Sequence, residues 1–74
     1  MGITLKAARV NKNLNQREAA NLIGVSIATL QNYEAGKNFP DVPILKKIEK
    51  IYQVSYADII FLPINNAKSG KGGR

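Results

Sequence analysis

The segment from Gln16 to Gly36, QREAANLIGVSIATLQNYEAG, most strongly constrains how this chain can fold. Apolar residues recur at helical spacing on both sides of Gly24, which predicts two short helices at about 16–23 and 27–34. Glycine adopts the left-handed conformation that ends a helix without steric penalty, so Gly24 marks the break between them. Two helices joined by a turn of three or four residues form a helix-turn-helix.

The residues around this break carry capping and packing signals that agree with it. Asn15 can cap the first of the two helices, and Glu18 stands at the position that completes a capping box. Ser26 is a favourable N-cap for the second helix. Ala20 lies one helical turn before Gly24, and we expect its small side chain to face the second helix and allow close packing. Together these signals set the register of the helix-turn-helix.

One helix is expected before this motif and another after it. Apolar spacing predicts the first helix over about residues 4–12, with Thr4 as its cap. The loop that follows the motif contains Phe39, which we expect to fill the core. Asp41 can then cap a fourth helix with Pro43 in its first turn, where a missing N–H is tolerated. The apolar face of that helix consists of Ile44, Leu45, Ile48, Ile51 and Tyr52.

The last part of the sequence predicts a fifth short helix and a polar tail. Ser55 can cap this helix, which contains the apolar triplet Ile59 to Phe61. Residues 65–74 are rich in glycine and lysine, a composition typical of disorder. We therefore expect an all-α, compact five-helix fold, with one domain over residues 1–64 and a basic, disordered tail over residues 65–74.

The composition argues against an enzyme. The chain of 74 residues contains neither cysteine nor histidine, and its five carboxylates are spread along the sequence. It therefore offers no thiolate, no imidazole and no paired carboxylates for catalysis or metal binding. We expect no catalytic residue, no cofactor, no metal and no small-molecule ligand.

The net charge predicts a polyanionic partner. A formal charge of +6 favours nucleic acid over a membrane surface. Half of this excess lies in the tail, where Lys68, Lys71 and Arg74 either add non-specific attraction or have no role. No stretch approaches the roughly 20 apolar residues of a membrane span, and the N-terminus lacks a signal-peptide core. We therefore expect a cytoplasmic protein.

Four segments, LKAARVNKNLNQREAA, GVSIATLQNYEAGK, FPDVPILKKI and VSYADIIF, together resemble the phage repressor and Cro-like helix-turn-helix family, also called the xenobiotic-response-element type. The resemblance extends from about Leu5 to Phe61. It implies a five-helix, lambda-repressor-like domain that binds operator DNA, usually as a dimer, and controls transcription. It also implies that Arg9 and Glu34 form a structural ion pair, and that Gln16 contacts a phosphate and the next helix.

The second helix of the motif is the candidate for reading DNA. Leu30 and Tyr33 define its inward side, so the opposite side faces DNA or, as the alternative, only solvent. Asn32 can pair with adenine, while Gln31 contacts either a base or a phosphate. Apolar side chains stand at two of the family's polar base-reading positions, and they suit contact with thymine methyl groups. The expected base-reading residues are Ser26, Ile27, Ala28, Gln31 and Asn32.

Polar residues on both sides of this helix in the sequence are candidates for contacting phosphates. They are Gln16, Arg17, Lys37 and Asn38. Lys37 is alternatively a solvated loop charge, and Arg17 a surface partner of a carboxylate. On the fourth helix, a solvated face is favoured over a second DNA site for Lys46, Lys47 and Lys50.

The apolar run from Ile59 to Ile64 is longer than one small core can bury. An exposed apolar patch usually marks a partner surface. The sequence therefore predicts a two-fold homodimer, and the alternative is simple packing into the core. The expected interface residues are Ile59, Ile60, Phe61 and Leu62.

Taken with the resemblance, these patterns predict a sequence-specific DNA-binding transcriptional regulator, a phage or mobile-element repressor. It is expected to bind a pseudo-palindromic operator in double-stranded DNA as a dimer, with half-sites about one helical turn apart. Two alternatives keep the same fold. One is an antitoxin-like regulator whose main partner is a protein, and the other is a protein-interaction module that does not bind DNA.

Overall fold

The computed structural model describes residues 2–61, which are mostly helical. Within residues 2–61 two short strands are present, β1 (Ile3–Thr4) and β2 (Ile59–Ile60). The four helices in this part of the chain are α1 (Leu5–Asn11), α2 (Gln16–Ile23), α3 (Ile27–Ala35) and α4 (Val42–Tyr52), and a 3-10 turn covers Tyr56–Asp58. No helix within residues 2–61 is long and apolar enough to cross a membrane. The expected tail and Leu62 of the expected dimer interface lie outside the described residues.

The helix-turn-helix formed by α2 and α3 has the end structures that its sequence predicted. Asn15 accepts a hydrogen bond from the N–H of Glu18 at 2.7 Å, and Glu18 accepts one from the N–H of Asn15 at 3.0 Å. This reciprocal pair is the predicted capping box. Gly24 ends α2 in the left-handed conformation at φ 89°. Ser26 caps α3 by accepting from the N–H of Thr29 at 3.0 Å.

The two flanking helices, α1 and α4, also begin at their predicted caps. Thr4 accepts a hydrogen bond from the N–H of Ala7 at 3.1 Å, and Asp41 accepts one from the N–H of Ile44 at 3.1 Å. The end of α4 is less expected, because Gln53 takes the left-handed conformation at φ 55°. Glutamine is not a residue that normally marks this position, so no local pattern predicts where α4 ends.

The core lies where α2, α3 and α4 meet. Ala20 is 1% exposed, in agreement with the expectation that a small side chain lets α2 and α3 pack closely. Leu30 of α3 and Ile48 and Tyr52 of α4 are fully buried. The predicted apolar face of α4 is therefore confirmed, with its other members packed at the edge of the core. The remaining buried apolar residues are Leu5, Ala8, Ala19, Ile23 and Ile59.

The prediction of a fifth helix is wrong. After the 3-10 turn the chain becomes extended, and β2 pairs in parallel with β1 so that Ile59 lies opposite Ile3. Side chains alternate between the two faces of a strand, and here Ile59 is 8% exposed whereas Ile60 is 48% exposed. Isoleucine suits an extended backbone, and the partner strand stands more than fifty positions earlier in the sequence. Ile59 therefore belongs to the core and offers no side chain to a dimer interface.

The expectation that Phe39 fills the core is also wrong. Its side chain is 53% exposed, because the loop between α3 and α4 passes over the surface. The ring meets Phe61 edge to face, with centroids 5.7 Å apart. Phe61 in turn lies 6.2 Å from the ring of Tyr56. We call the aromatic cluster of Phe39, Tyr56 and Phe61, together with the exposed Ile60 that precedes Phe61 in the chain, the apolar edge.

Candidate nucleic-acid interface

The outer face of α3 is the centre of the candidate interface. Leu30 is fully buried and Tyr33 packs partly against the core, so these residues fix the rotation of the helix. Ala28 and Gln31 are exposed on the other side, and Asn32 is half-buried. The small alanine side chain allows a close approach to another surface. The face thus presents amide groups on a helix whose position is set by the core.

Two hydrogen bonds to Thr29 restrict the orientation of the Ser26 hydroxyl. Its hydroxyl accepts from the N–H of Thr29 and also donates to Thr29 Oγ1 at 2.9 Å. A hydroxyl has one proton and two lone pairs, so what remains for DNA is an acceptor. The Ser26 hydroxyl can therefore accept one further hydrogen bond without disturbing the cap, whereas donating to another acceptor requires breaking the bond to Thr29.

A surface cleft lies beside the start of α3. It has a volume of about 400 Å³, and Val25 of the turn and Ile27 at the start of α3 contribute to it. Ile27 also packs against the core, so only part of its side chain is exposed. Arg17 and Asn21 of α2 line the same cleft. Sequence reasoning missed Asn21, although its position one helical turn after Arg17 puts both residues on one face.

A chain of hydrogen bonds connects the outer face of α3 to the interior. Gln31 Nε2 donates to Gln16 Oε1 at 3.2 Å, and Gln16 Nε2 donates to Glu34 Oε1 at 3.1 Å. Arg9 completes the chain, since its Nε donates to Glu34 Oε2 at 2.7 Å. Its Nη1 donates to the carbonyl of Leu14 at 2.8 Å. We call these four side chains, Gln31, Gln16, Glu34 and Arg9, the polar relay.

The inner end of the polar relay is a buried ion pair. The side chains of Arg9 and Glu34 are 9% and 6% exposed. The hydrogen bond to Glu34 raises the pKa of Arg9 above its ordinary value, and burial opposes this change. The pair joins α1 to α3 and, through Gln16, to α2. It therefore fixes the position of α3 relative to both helices that precede it.

Tyr52 adds a second buried polar group that acts on the same pair. Its hydroxyl is buried and has no hydrogen-bond partner among residues 2–61. Burial, reinforced by the negative charge of Glu34, raises the pKa of Tyr52 to about 12, while Arg9 acts in the opposite direction. The phenol thus remains neutral throughout the physiological range.

The expected phosphate-contacting residues lie around α3 as follows. Gln16 and Arg17 open α2, and Arg17 is exposed while Gln16 is held in the polar relay. Lys37 and Asn38 are both exposed directly after Gly36, the left-handed residue that ends α3. The backbone N–H of Lys37 donates to the carbonyl of Asn32 at 2.9 Å, so this turn is well defined.

The lysines of α4 are exposed on the side of the helix away from the core, as expected. Lys47 reaches back toward the motif, since a Cβ atom placed on Gly24 would lie 3.6 Å from Lys47 Nζ. A cation beside the end of α2 interacts favourably with the partial negative charge of that helix terminus. This interaction with the end of α2 stabilises the observed position of the Lys47 side chain.

A sequence profile of the helix-turn-helix family matches residues 5–59, which is most of the chain. The chain therefore belongs to the helix-turn-helix family of Cro/C1 type, which consists of DNA-binding transcription regulators and not of enzymes. The resemblance drawn from the four sequence segments is confirmed. The expected lambda-repressor-like fold is confirmed in outline, with four helices and a 3-10 turn in place of five helices.

Two curated proteins are similar to this chain. One is the cryptic phage CTXphi transcriptional repressor RstR of Vibrio cholerae, with 38% identity over 56 residues, covering 76% of this chain and 50% of that protein. The other is the HTH-type transcriptional activator BcrR of Enterococcus faecalis, with 32% identity over 56 residues, covering 76% of this chain and 28% of that protein. The chain thus spans half or less of the length of these relatives.

Proposed function

We propose that this chain binds a specific sequence in double-stranded DNA with α3 in the major groove, and that it acts as a phage or mobile-element repressor. The observation that carries this proposal is the outer face of α3. It combines a small residue, Ala28, with two amide side chains, Gln31 and Asn32. Alanine permits close approach, and amides pair with base edges in the major groove.

Phosphate contacts on both sides of α3 complete the proposed binding mode. Gln16 and Arg17 stand at the start of α2, and Lys37 and Asn38 stand just beyond the end of α3. Contacts of this kind fix the register of a protein on the duplex but carry little sequence information. Base discrimination is therefore assigned to the α3 face, including Ser26 as an acceptor and Ile27 as an apolar contact.

Of repression and activation, the similarities to known proteins favour repression. The relative with 38% identity is named as a phage repressor, whereas the relative with 32% identity is named as an activator. A domain that occupies promoter DNA represses by excluding the transcription machinery. The proposed place of action is the cytoplasm, where operator DNA is accessible.

Selection of bound sites from random duplex DNA tests the proposal. We expect recovery of a pseudo-palindrome whose half-sites are about one helical turn apart. Ala28→Arg, which places a large side chain on the outer face of α3, should abolish enrichment without lowering the thermal midpoint. Recovery of no enriched sequence would contradict DNA reading by α3.

The dimer is proposed on the basis of the apolar edge. Ile60, Phe39 and Tyr56 are 48%, 53% and 55% exposed, and the rings of Phe39 and Tyr56 both meet that of Phe61. A two-fold contact through this edge would cover them and would link two recognition helices. Sedimentation of the parent chain should give a dimer at concentrations that bind operator DNA, and Ile60→Asp should give a folded monomer. A monomeric parent that binds the palindrome with full affinity would contradict the dimer.

The same apolar edge favours a second candidate function, in which the main partner is a different protein. Exposed apolar side chains are as suitable for a heterologous contact as for a homodimer. A mobility shift on promoter DNA with unlabelled competitor separates the candidates. Specific retardation supports the repressor, and its absence together with an intact fold supports the protein-interaction module.

A further inference from the structure

We propose that Gln31 recognises the major-groove amino group of an adenine or a cytosine, because the polar relay fixes which end of its side-chain amide faces the DNA. This inference rests on the proposed insertion of α3 into the major groove. In it, Gln31 is a specificity-determining residue, and Gln16 is a positioning residue that acts through Gln31.

The direction of the relay is set by the charge of Glu34. An ionised carboxylate only accepts hydrogen bonds, and Glu34 already accepts from Arg9 at 2.7 Å. Gln16 must therefore turn its NH₂ group toward Glu34, as the distance of 3.1 Å between Nε2 and Oε1 indicates. Its amide oxygen then faces the opposite way. Reversing this amide would place two oxygens against each other.

The same constraint passes on to Gln31. The oxygen of Gln16 accepts a hydrogen bond from Gln31 Nε2 at 3.2 Å. Gln31 consequently directs one N–H of its NH₂ group toward Gln16, and its own amide oxygen remains available as an acceptor on the exposed face of α3, beside the second N–H. A carboxamide that is unconstrained presents either end equally well. Here the buried ion pair, acting through Gln16, turns the amide oxygen of Gln31 away from Gln16.

A fixed acceptor distinguishes the four bases. In the major groove adenine N6 and cytosine N4 are donors, whereas guanine N7 and O6 and thymine O4 are acceptors. An acceptor at Gln31 therefore favours a base that carries an amino group. The bond between Gln31 and Gln16 is exposed in the unbound protein, and it strengthens when DNA excludes water from the groove.

Asn32 provides an internal comparison on the same helix. Its side-chain amide has no hydrogen-bond partner within residues 2–61, so nothing in the described part of the chain fixes its orientation. The base preference of Asn32 should therefore be independent of Gln16, whereas that of Gln31 should depend on it.

The experiment uses the full chain and the palindrome selected from random duplex DNA. Gln31→Ala first identifies the base pair read by Gln31, as the position at which sequence preference disappears. Replacing adenine there by purine, or cytosine by 2-pyrimidinone, removes only the amino group. Affinity of the parent chain should fall at least about fivefold, the lower end of the range for a specific base contact. Gln31→Ala should be insensitive to this replacement.

The relay itself is tested by inverting the same base pair, which moves the amino group to the other strand and puts an acceptor in its place. The parent should lose at least about fivefold in affinity. In Gln16→Met the released amide can turn its NH₂ group to the new acceptor, so the loss should shrink below about twofold. Gln16→Ala repeats the measurement in case methionine disturbs the fold, and unchanged thermal midpoints verify folding.

The controls distinguish this effect from a lost phosphate contact. Lys37→Ala should weaken binding to every site and keep the full penalty for inversion, and Gln16→Met should keep the preference at the pair read by Asn32. An unchanged inversion penalty in both Gln16 variants would overturn the relay, as would a parent that is insensitive to loss of the amino group. In both cases the proposed function would stand. Failure to select any sequence would instead overturn the proposed function, and this inference with it.

Discussion

The helix-turn-helix and the apolar edge are held in place by different kinds of contact. In the helix-turn-helix, directional hydrogen bonds determine positions, from the cap at Ser26 to the polar relay that ends at Arg9. At the apolar edge, rings meet at 5.7 and 6.2 Å, and Phe39 and Tyr56 remain 53% and 55% exposed. Directional bonds specify one geometry, whereas apolar contacts tolerate several arrangements.

This difference matches what each region is proposed to do. An amide that is held in one orientation favours selective reading of a base edge, and the buried end of the relay supplies this for Gln31 through Glu34. A partner surface requires exposed apolar area and can adapt when it is covered. The two regions are adjacent in the chain, because Phe39 of the apolar edge lies three residues beyond Gly36, where α3 ends. The following substitutions test the contacts of each region and of the core that supports both.

The largest effect is expected when the buried ion pair is broken. Glu34→Ala leaves the guanidinium of Arg9 buried without its partner and should lower the free energy of unfolding by about 3–5 kcal/mol. Chemical denaturation measures this change. Glu18→Ala is the matched control, since its carboxylate is exposed and makes one cap bond, and it should lower the free energy of unfolding by only about 1 kcal/mol. Equal effects of the two substitutions would show that the ion pair contributes no more than a surface contact.

The second prediction concerns the alternation in β2. Ile59→Ala removes a core side chain and should lower the free energy of unfolding by about 2–4 kcal/mol, whereas Ile60→Ala should lower it by less than about 1 kcal/mol. Thermal or denaturant unfolding of dilute protein measures both, at concentrations below those of the proposed dimer. A larger effect for Ile60 would contradict the observed strand register.

The separation in sequence between contacting residues decides how much of each region can be predicted from the sequence. Asn15, Gly24 and Ser26 act on backbone groups within four residues, so their roles can be read directly from the sequence. The pairing of Ile59 with Ile3 depends on a strand at the other end of the described chain, and no local pattern reports it. The apolar triplet Ile59 to Phe61 is equally compatible with a short helix, which is why the fifth helix was wrongly predicted.

In the candidate site, too, features within one helix can be predicted from the sequence, whereas contacts between helices cannot. Helical phase alone indicates that Leu30 faces inward and Gln31 outward, and the burial of the two residues agrees. The resemblance implies that Gln16 contacts the next helix, but it does not name Gln31 as the partner, because that contact depends on the angle between two helices and on the rotamers of two flexible side chains. Spacing places these residues on facing surfaces, but only the packed structure shows that their amides meet.

The third prediction separates base reading from backbone contact in the helix-turn-helix. Asn32→Ala should weaken binding to the selected operator by about 1–3 kcal/mol and barely change affinity for random DNA. Lys37→Ala should weaken both, and should reduce the slope of log affinity against log salt by about one. Titrations of both DNAs at several salt concentrations measure these changes. If Asn32→Ala weakens binding to both DNAs equally, Asn32 contacts the backbone and does not read a base.

The smallest effect is expected at Tyr52, beside the inner end of the polar relay. Tyr52→Phe removes a buried hydroxyl that has no partner within residues 2–61, so the free energy of unfolding at pH 7 should stay the same or rise by up to about 1 kcal/mol.

The pH dependence of the stability gives a sharper comparison between Tyr52→Phe and the parent. Because the pKa of Tyr52 is raised to about 12 from an ordinary value of 10.0, the folded state retains the phenol proton where the unfolded state loses it. The stability that Tyr52 contributes is therefore complete below about pH 10 and declines as pH rises toward 12. Tyr52→Phe lacks this titration, so the difference in stability between variant and parent should grow in the variant's favour over that interval. A difference that stays constant from pH 9 to 12 would show that the phenol titrates normally and that the site is open to water.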